Sequence, residues 1–208
     1  ETSPLLTINR RRSEWDDPTP NERAQKLSRA GAPALGVTMR VTDQGELIAR
    51  SNVVLKSYWD QPDATADAIR SQDDKLEFFH TGDGGIIDDE GYVTISDRKK
   101  DVIISGGENV SSIEVEDALF SHPAVAEVAV IGVPDEKWGE LVLGLVVLVE
   151  GESVSEEELR DHCRPKLAGY KIPKRIEFRA ELARTATGKL QKFKLRESYW
   201  EGFDRQVN

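Results

Sequence analysis

The chain has 208 residues, with 28 Lys and Arg against 38 Asp and Glu, for a formal net charge of −10. At 38% hydrophobic and 32% charged residues it has the make-up of a soluble globular protein large enough to bury a real core, which excludes a disordered chain. The acidic balance argues against a nucleic-acid partner, whose phosphates need clustered cations.

The richest apolar run, residues 141–149, is only strand length, so no membrane span is expected. A single cysteine, Cys163, excludes an internal disulfide framework and a cysteine-rich zinc site, and it fits a reducing compartment. The opening Glu1-Thr2-Ser3-Pro4 has no initiator methionine, no charged leader and no apolar stretch. It reads as a piece cut from a longer chain, with no targeting segment.

Along the chain, Arg10-Arg11-Arg12 reads as a solvated turn diluted by Glu14, Asp16 and Asp17. Asp17-Pro18-Thr19-Pro20 is a breaker cluster ahead of a short helix over 21–29. Residues 37–41 and 46–50 alternate on either side of Asp43-Gln44-Gly45 and predict a hairpin. Asp63 predicts the cap of a helix over 63–71. Asp88-Asp89-Glu90-Gly91 is a turn leading into a strand over 92–95.

The charged knot Asp97-Arg98-Lys99-Lys100-Asp101 then precedes a strand over 102–105. Ser111 with Glu114, and Ser155 with Glu158, are capping boxes opening helices to Phe120 and to about Lys166. Residues 125–133 and 141–149 are strands separated by 134–140. A short strand over 175–178 and a helix over 193–200 finish the chain. The domain boundary is placed at the knot: residues 1–97 are strand-rich, 98–100 connect, and 101–208 form an α+β unit large enough to fold alone.

Taken singly, the motifs that carry chemistry are also compatible with plain structure. His80-Thr81-Gly82-Asp83 reads as a turn, Ser105-Gly106-Gly107-Glu108-Asn109 as a tight connection between strands, and Thr187-Gly188-Lys189 as a loop with a solvated lysine. His80, His122 and His162 lack metal-ligand spacing, and Asp88, Asp89 and Glu90 lack the spaced ligands of a calcium loop.

Their order is more informative. Glu1-Thr2-Ser3, Thr81-Gly82-Asp83, Asp97 to Asp101 running into Ser105-Gly106-Gly107-Glu108-Asn109, and Thr185-Ala186-Thr187-Gly188-Lys189 together resemble the adenylate-forming enzymes. That superfamily holds acyl-CoA synthetases, luciferases and peptide-synthetase adenylation domains. Asp97 to Asn109, Cys163-Arg164-Pro165-Lys166-Leu167 and the stretch 185–192 narrow the resemblance to synthetases for short- and medium-chain fatty acids. The resemblance departs at Lys75-Leu76-Glu77-Phe78-Phe79, where a glycine and an aromatic are usual, and at Ala183, where a proline is common. The phosphate loop of the family and most of its acyl pocket have no counterpart in these 208 residues.

The resemblance implies the strand-rich end of a large adenylating domain (1–97), a hinge (98–100) and a small mobile α+β lid (101–208). It implies a cytoplasmic ligase in which a carboxylic acid attacks ATP to give acyl-AMP, and CoA then displaces AMP. By the same resemblance Lys189 bridges the α-phosphate and the incoming carboxylate, Asp83 accepts from the ribose hydroxyls, Arg98 contacts ribose or phosphate, and Glu1 helps hold Mg2+. Lys100 is the implied pivot. Gly106 and Gly107 let the pantetheine arm pass, Trp138 lines its tunnel, and Tyr170, Lys171 and Lys174 meet the CoA adenine and phosphates. The resemblance leaves room for a homo-oligomer. Two alternatives stay open at this point: an enzyme loading a carrier-protein thiol, and an α+β interaction module without catalysis.

Overall fold

The computed structural model describes residues 1–10, 12–15, 19–72 and 75–203. Arg11 of the basic run and Asp16, Asp17 and Pro18 of the acidic and breaker stretches lie outside the described residues. The chain divides into two compact units, Glu1–Lys99 and Lys100–Asn208, and each is α+β.

In the first unit, strands β1 (Thr7–Ile8) and β2 (Ala32–Pro33) form a small antiparallel pair. Between them lies α1 (Pro20–Ser28). Its cap is Thr19, a residue the sequence reading placed in the breaker: Thr19 and Glu22 make a reciprocal capping box, with Pro20 at the first helical position. The helix therefore starts and ends one residue earlier than the periodicity predicts. Arg12 is exposed, as the reading of the basic run expects, but it also has a partner. Its guanidinium lies over the Tyr92 ring at 5.1 Å, and Arg29 covers the same ring at 3.9 Å.

The main sheet of this unit runs β3 (Thr38–Val41), β4 (Glu46–Arg50), β6 (Glu77–Ile87), β5 (Ile69–Ser71), with β7 (Val93–Arg98) also on β6. The β3–β4 hairpin is as expected. Asp63 is not a cap. Helix α2 is Pro62–Ala68 with Gln61 at its N-cap, because Pro62 takes the first helical position and leaves Asp63 inside the first turn. Residues 69–71, expected to be helical, pair with 77–79 as β5. The β-branched Ile69 and the sheet edge outweigh a weak helical pattern.

The second unit begins with the β8 (Ile103–Ser105) and β9 (Glu108–Val110) hairpin, followed by α3 (Ser112–Phe120). Strands β10 (Val125–Asp135) and β11 (Gly139–Leu148) then pair antiparallel over ten positions, from Val125↔Leu148 to Asp135↔Gly139. Both strands run further into the 134–140 connection than expected. The side chains of Val128, Val130, Val142 and Val146 join the core under α3 and α4 (Glu156–Cys163). Those of Ala129, Ile131, Val133, Leu143 and Leu145 join a second core with Leu182 and Leu195. A hairpin buried on both faces needs apolar residues at every position, which explains the unbroken run in the sequence. Helix α4 stops at Cys163, short of Lys166. Strand β12 (Arg175–Phe178) lies parallel to β11, and α5 (Lys192–Trp200) closes the unit.

One glycine in β6 tests how tightly this frame is built. A Cβ on Gly85 would lie 2.5 Å from the Thr94 carbonyl oxygen and 2.7 Å from Leu47 Cδ1. Gly85→Ala should therefore lower stability by about 1–3 kcal/mol through overpacking, read as a lower urea midpoint.

Candidate functional site

The Thr81-Gly82-Asp83 motif is not a turn. It lies within the 11-residue β6, which pairs with β5 through residues 77–79 and with β7 through 83–87 along the same edge. The ladders on both edges are irregular here, with register shifts at Glu46/Ile48 on the β4 side and at Gly84/Gly85 on the β7 side. Gly82 takes φ +72 there, a conformation glycine adopts without penalty.

Side chains supply the hydrogen bonds the ladder omits. Thr81 Oγ1 donates to the Leu47 carbonyl at 2.7 Å and accepts from the Asp83 N–H at 3.1 Å. Glu46 Oε1 accepts from the Gly82 N–H at 3.1 Å. Its other oxygen, Oε2, lies 3.0 Å from His80 Nδ1 and 3.4 Å from Lys99 Nζ. Glu46 is buried, and the sequence reading did not single it out. An acidic residue opening a strand is the only sequence signal, and it becomes informative only once β4 is known to lie beside β6.

The bulge projects the Asp83 carboxylate beside Arg98, directly opposite in register, with Arg98 Nε 3.1 Å from Asp83 Oδ1. The guanidinium is largely exposed and the carboxylate partly so. Asp97, next to Arg98, is buried and accepts from the Arg98 N–H at 2.7 Å. The motif thus presents one carboxylate and one guanidinium together, a pair able to accept from hydroxyls and donate to an anion. Elsewhere in the unit, Glu1 Oε1 accepts from the Tyr58 hydroxyl at 2.6 Å, and this bond raises the phenol to about 12. In the stretch 75–79, where the resemblance departs, Lys75 has φ +61, a left-handed conformation, and Phe78 is buried.

In the second unit, Lys189 sits on a short loop closed by an Arg184↔Leu190 bridge. Gly188, at φ +84, lets the loop turn, and the Lys189 side chain is exposed. The Thr185 N–H donates to the Lys189 carbonyl at 2.8 Å, and Thr185 Oγ1 accepts from the Lys189 N–H at 3.0 Å. Lys100 precedes the first strand of the unit, and its carbonyl accepts from Arg196 Nη1 of α5 at 2.8 Å. Arg196 is also ion-paired with Asp101.

The structure brings Gly106, Trp138 and Lys174 together. The Gly106 N–H donates to the Trp138 carbonyl at 2.8 Å, and Lys174 Nζ lies 5.4 Å from the indole centroid. A Cβ on Gly106 would come 2.9 Å from Trp138 Cε3, so the tryptophan itself requires this glycine. Gly107, at φ +83, has open space where a Cβ would stand. Tyr170 is exposed. Lys171 is committed: its ammonium contacts both Glu114 oxygens at 2.6 and 2.8 Å, and that hydrogen bonding raises its pKa.

Glu46 offers a pH test of the motif's support. Burial pushes its carboxyl up, but the hydrogen bonds from His80 and the Gly82 N–H, with the charge of Lys99, leave it below the ordinary value of 4.5. A carboxyl depressed by folding stabilises the fold above its unfolded value, and the benefit fades as pH falls through the folded one. Glu46→Gln should lower stability at pH 7 by about 1–3 kcal/mol. The gap between the two proteins should close as the pH is taken below 4.5, as read from paired urea titrations.

A family model described as the AMP-binding enzyme C-terminal domain matches residues 114–189. The long-chain-fatty-acid–CoA ligase FadD13 of Mycobacterium tuberculosis is 48% identical over 161 residues, covering 77% of this chain and 31% of that protein. The 2-methylpropanoate–CoA ligase CCL4 of Humulus lupulus is 39% identical over 213 residues, covering 95% of this chain and 38% of its own. Among solved structures, ATP-bound MatB from Rhodopseudomonas palustris superposes with a TM-score of 0.77 at 36% identity, covering 86% of this chain and 37% of that chain. The chain spans about a third of the length of the curated relatives it matches. Its strand-rich first unit, its α+β second unit and these likenesses agree: the chain belongs to the adenylate-forming, AMP-binding superfamily, and its relatives there are CoA ligases.

Proposed function

We propose that the chain is the C-terminal part of an ATP-dependent acyl-CoA synthetase. Residues 1–97 would close the large AMP-binding domain, 98–100 would form the hinge, and 101–208 would be the mobile lid. The observation that carries this reading is the Lys189 loop: an exposed ammonium on a backbone whose own hydrogen bonds are satisfied within the loop. Such a lysine is ready to meet an anion without first giving up a protein partner.

In the first half-reaction a carboxylate oxygen attacks the α-phosphorus of ATP, the bond to the bridging oxygen breaks, and pyrophosphate leaves. Lys189 would hold the carboxylate and α-phosphate oxygens together as negative charge concentrates between them. Asp83 would accept from the ribose hydroxyls, with Arg98 turning from Asp83 toward ribose or phosphate. Glu1 supplies a hard carboxylate oxygen of the kind Mg2+ takes alongside phosphates and water; the ion would neutralise the leaving pyrophosphate. In the second half-reaction the CoA thiolate attacks the acyl carbonyl and AMP leaves.

Rotation about Lys100 between the two steps would exchange the Lys189 loop for the Gly106–Gly107 turn. Trp138 and Lys174 would then flank the pantetheine path, with Tyr170 on the adenine. Lys171, tied to Glu114, serves the phosphates only if it leaves that pair. Free CoA as acceptor, rather than a carrier-protein thiol, is part of the proposal, and so is a cytoplasmic enzyme. The relatives are named for a long-chain fatty acid and 2-methylpropanoate, and a feruloyl-CoA synthase of Amycolatopsis is 39% identical over 186 residues. The short- or medium-chain fatty acid suggested by the motifs is therefore the finer part of the reading, to be tested across acids of increasing length.

In the complete enzyme, Lys189→Ala should reduce adenylation, read as pyrophosphate exchange into ATP, by a factor on the order of a hundred or more. Synthetic acyl-adenylate should still be converted to acyl-CoA at close to the normal rate. Equal loss in both assays would make Lys189 a structural residue and overturn the assignment.

A further inference from the structure

We propose that Arg184 and Glu127 are positioning residues for Lys189, an inference that rests on the adenylation role proposed above. Arg184 Nη1 donates to the Gly188 carbonyl at 2.8 Å, while Nε and Nη2 reach Glu127 Oε2 at 3.2 and 2.6 Å. Glu127 belongs to β10, where it pairs with Val147 of β11.

The consequence falls on one peptide plane. The bond between Gly188 and Lys189 has its carbonyl held by Arg184 and its N–H held by the Thr185 hydroxyl. The next carbonyl, that of Lys189, is held by the Thr185 N–H. With these three groups fixed, the direction in which the Lys189 Cα–Cβ bond leaves the loop is set by β10. Gly188 would otherwise let that plane rotate, since it lacks the Cβ that restricts its neighbours.

The ion pair is more than a third exposed on both sides, so its contribution to overall stability is small. Its effect is on geometry. Reaction at the α-phosphorus depends steeply on placement, and a displacement of about 1 Å can cost on the order of a hundredfold.

The test is made in the complete enzyme, comparing pyrophosphate exchange with conversion of synthetic acyl-adenylate to thioester. Arg184→Ala should lower kcat for adenylation by about tenfold or more, with KM for ATP changed much less. The thioester step and the melting temperature should stay close to wild type. Glu127→Gln should give a smaller loss of the same kind.

The charge-reversed pair, Arg184→Glu with Glu127→Arg, restores an ion pair but leaves position 184 unable to donate to the Gly188 carbonyl. It should therefore stay impaired in adenylation. Full recovery in that pair, unchanged adenylation in Arg184→Ala, or equal loss in both half-reactions would each overturn the inference. Lys189→Ala run alongside separates the two levels. If it is impaired while Arg184→Ala is not, only this inference fails; if it is silent, the adenylation reading fails with it.

Discussion

A strand that changes partners partway along cannot satisfy every backbone group through its ladder, and β6 meets that constraint with the carboxylate of Glu46 and the hydroxyl of Thr81. Buried N–H and C=O groups left unpaired would cost more than the bonds that satisfy them contribute. Glu46 takes the Gly82 N–H, and Thr81 takes the Leu47 carbonyl and the Asp83 N–H. With those bonds in place the bulge is rigid, and Asp83 stands opposite Arg98 rather than pointing into a flexible turn. Glu46 also holds Lys99, so one buried carboxylate secures both the motif and the end of the first unit.

The second unit meets the same constraint with a cation. The Lys189 loop is too short and too exposed to bury anything, so its order comes from hydrogen bonds: Thr185 within the loop and Arg184 reaching from the loop to β10. The frame beneath it is the β10–β11 hairpin, apolar on both faces and covered on one side by α3 and α4. On the other side lies the core containing Leu182 and Leu195. Lys192, at the first turn of α5, is tied to Glu116 at 2.7 Å and donates to Ser112 Oγ at 2.6 Å. Trp200, at the far end, donates from Nε1 to the Gly132 carbonyl at 3.0 Å. The helix that follows the loop is thus pinned at both ends.

Much of this was legible from residues alone wherever the physics is local. The Ser155–Glu158 capping box and the β3–β4 hairpin about Asp43-Gln44-Gly45 depend on neighbours within a few positions and formed where expected, and the apolar run at 141–149 formed a strand with shifted ends, 139–148. Misreadings occurred where a distant partner decided. Residues 69–71 became a strand because β6 offered an edge. Asp63 is the exception, displaced from the cap by its own neighbour Pro62 at the start of α2. His80 to Asp83 became a bulged strand because β4, β5 and β7 converge on it.

By itself the sequence determined the α+β class, the order of the motifs and the superfamily they mark, since motif order is a property of the chain and needs no coordinates. Only the tertiary structure decided which charges are already committed. Lys171 is held by Glu114, Arg184 is divided between Glu127 and the Gly188 carbonyl, and Glu46 is buried among three donors. Each of these pairs joins residues more than thirty positions apart, except the bond from Arg184 to Gly188. A charge's partner at that separation is set by strand register and helix packing, which no local pattern encodes.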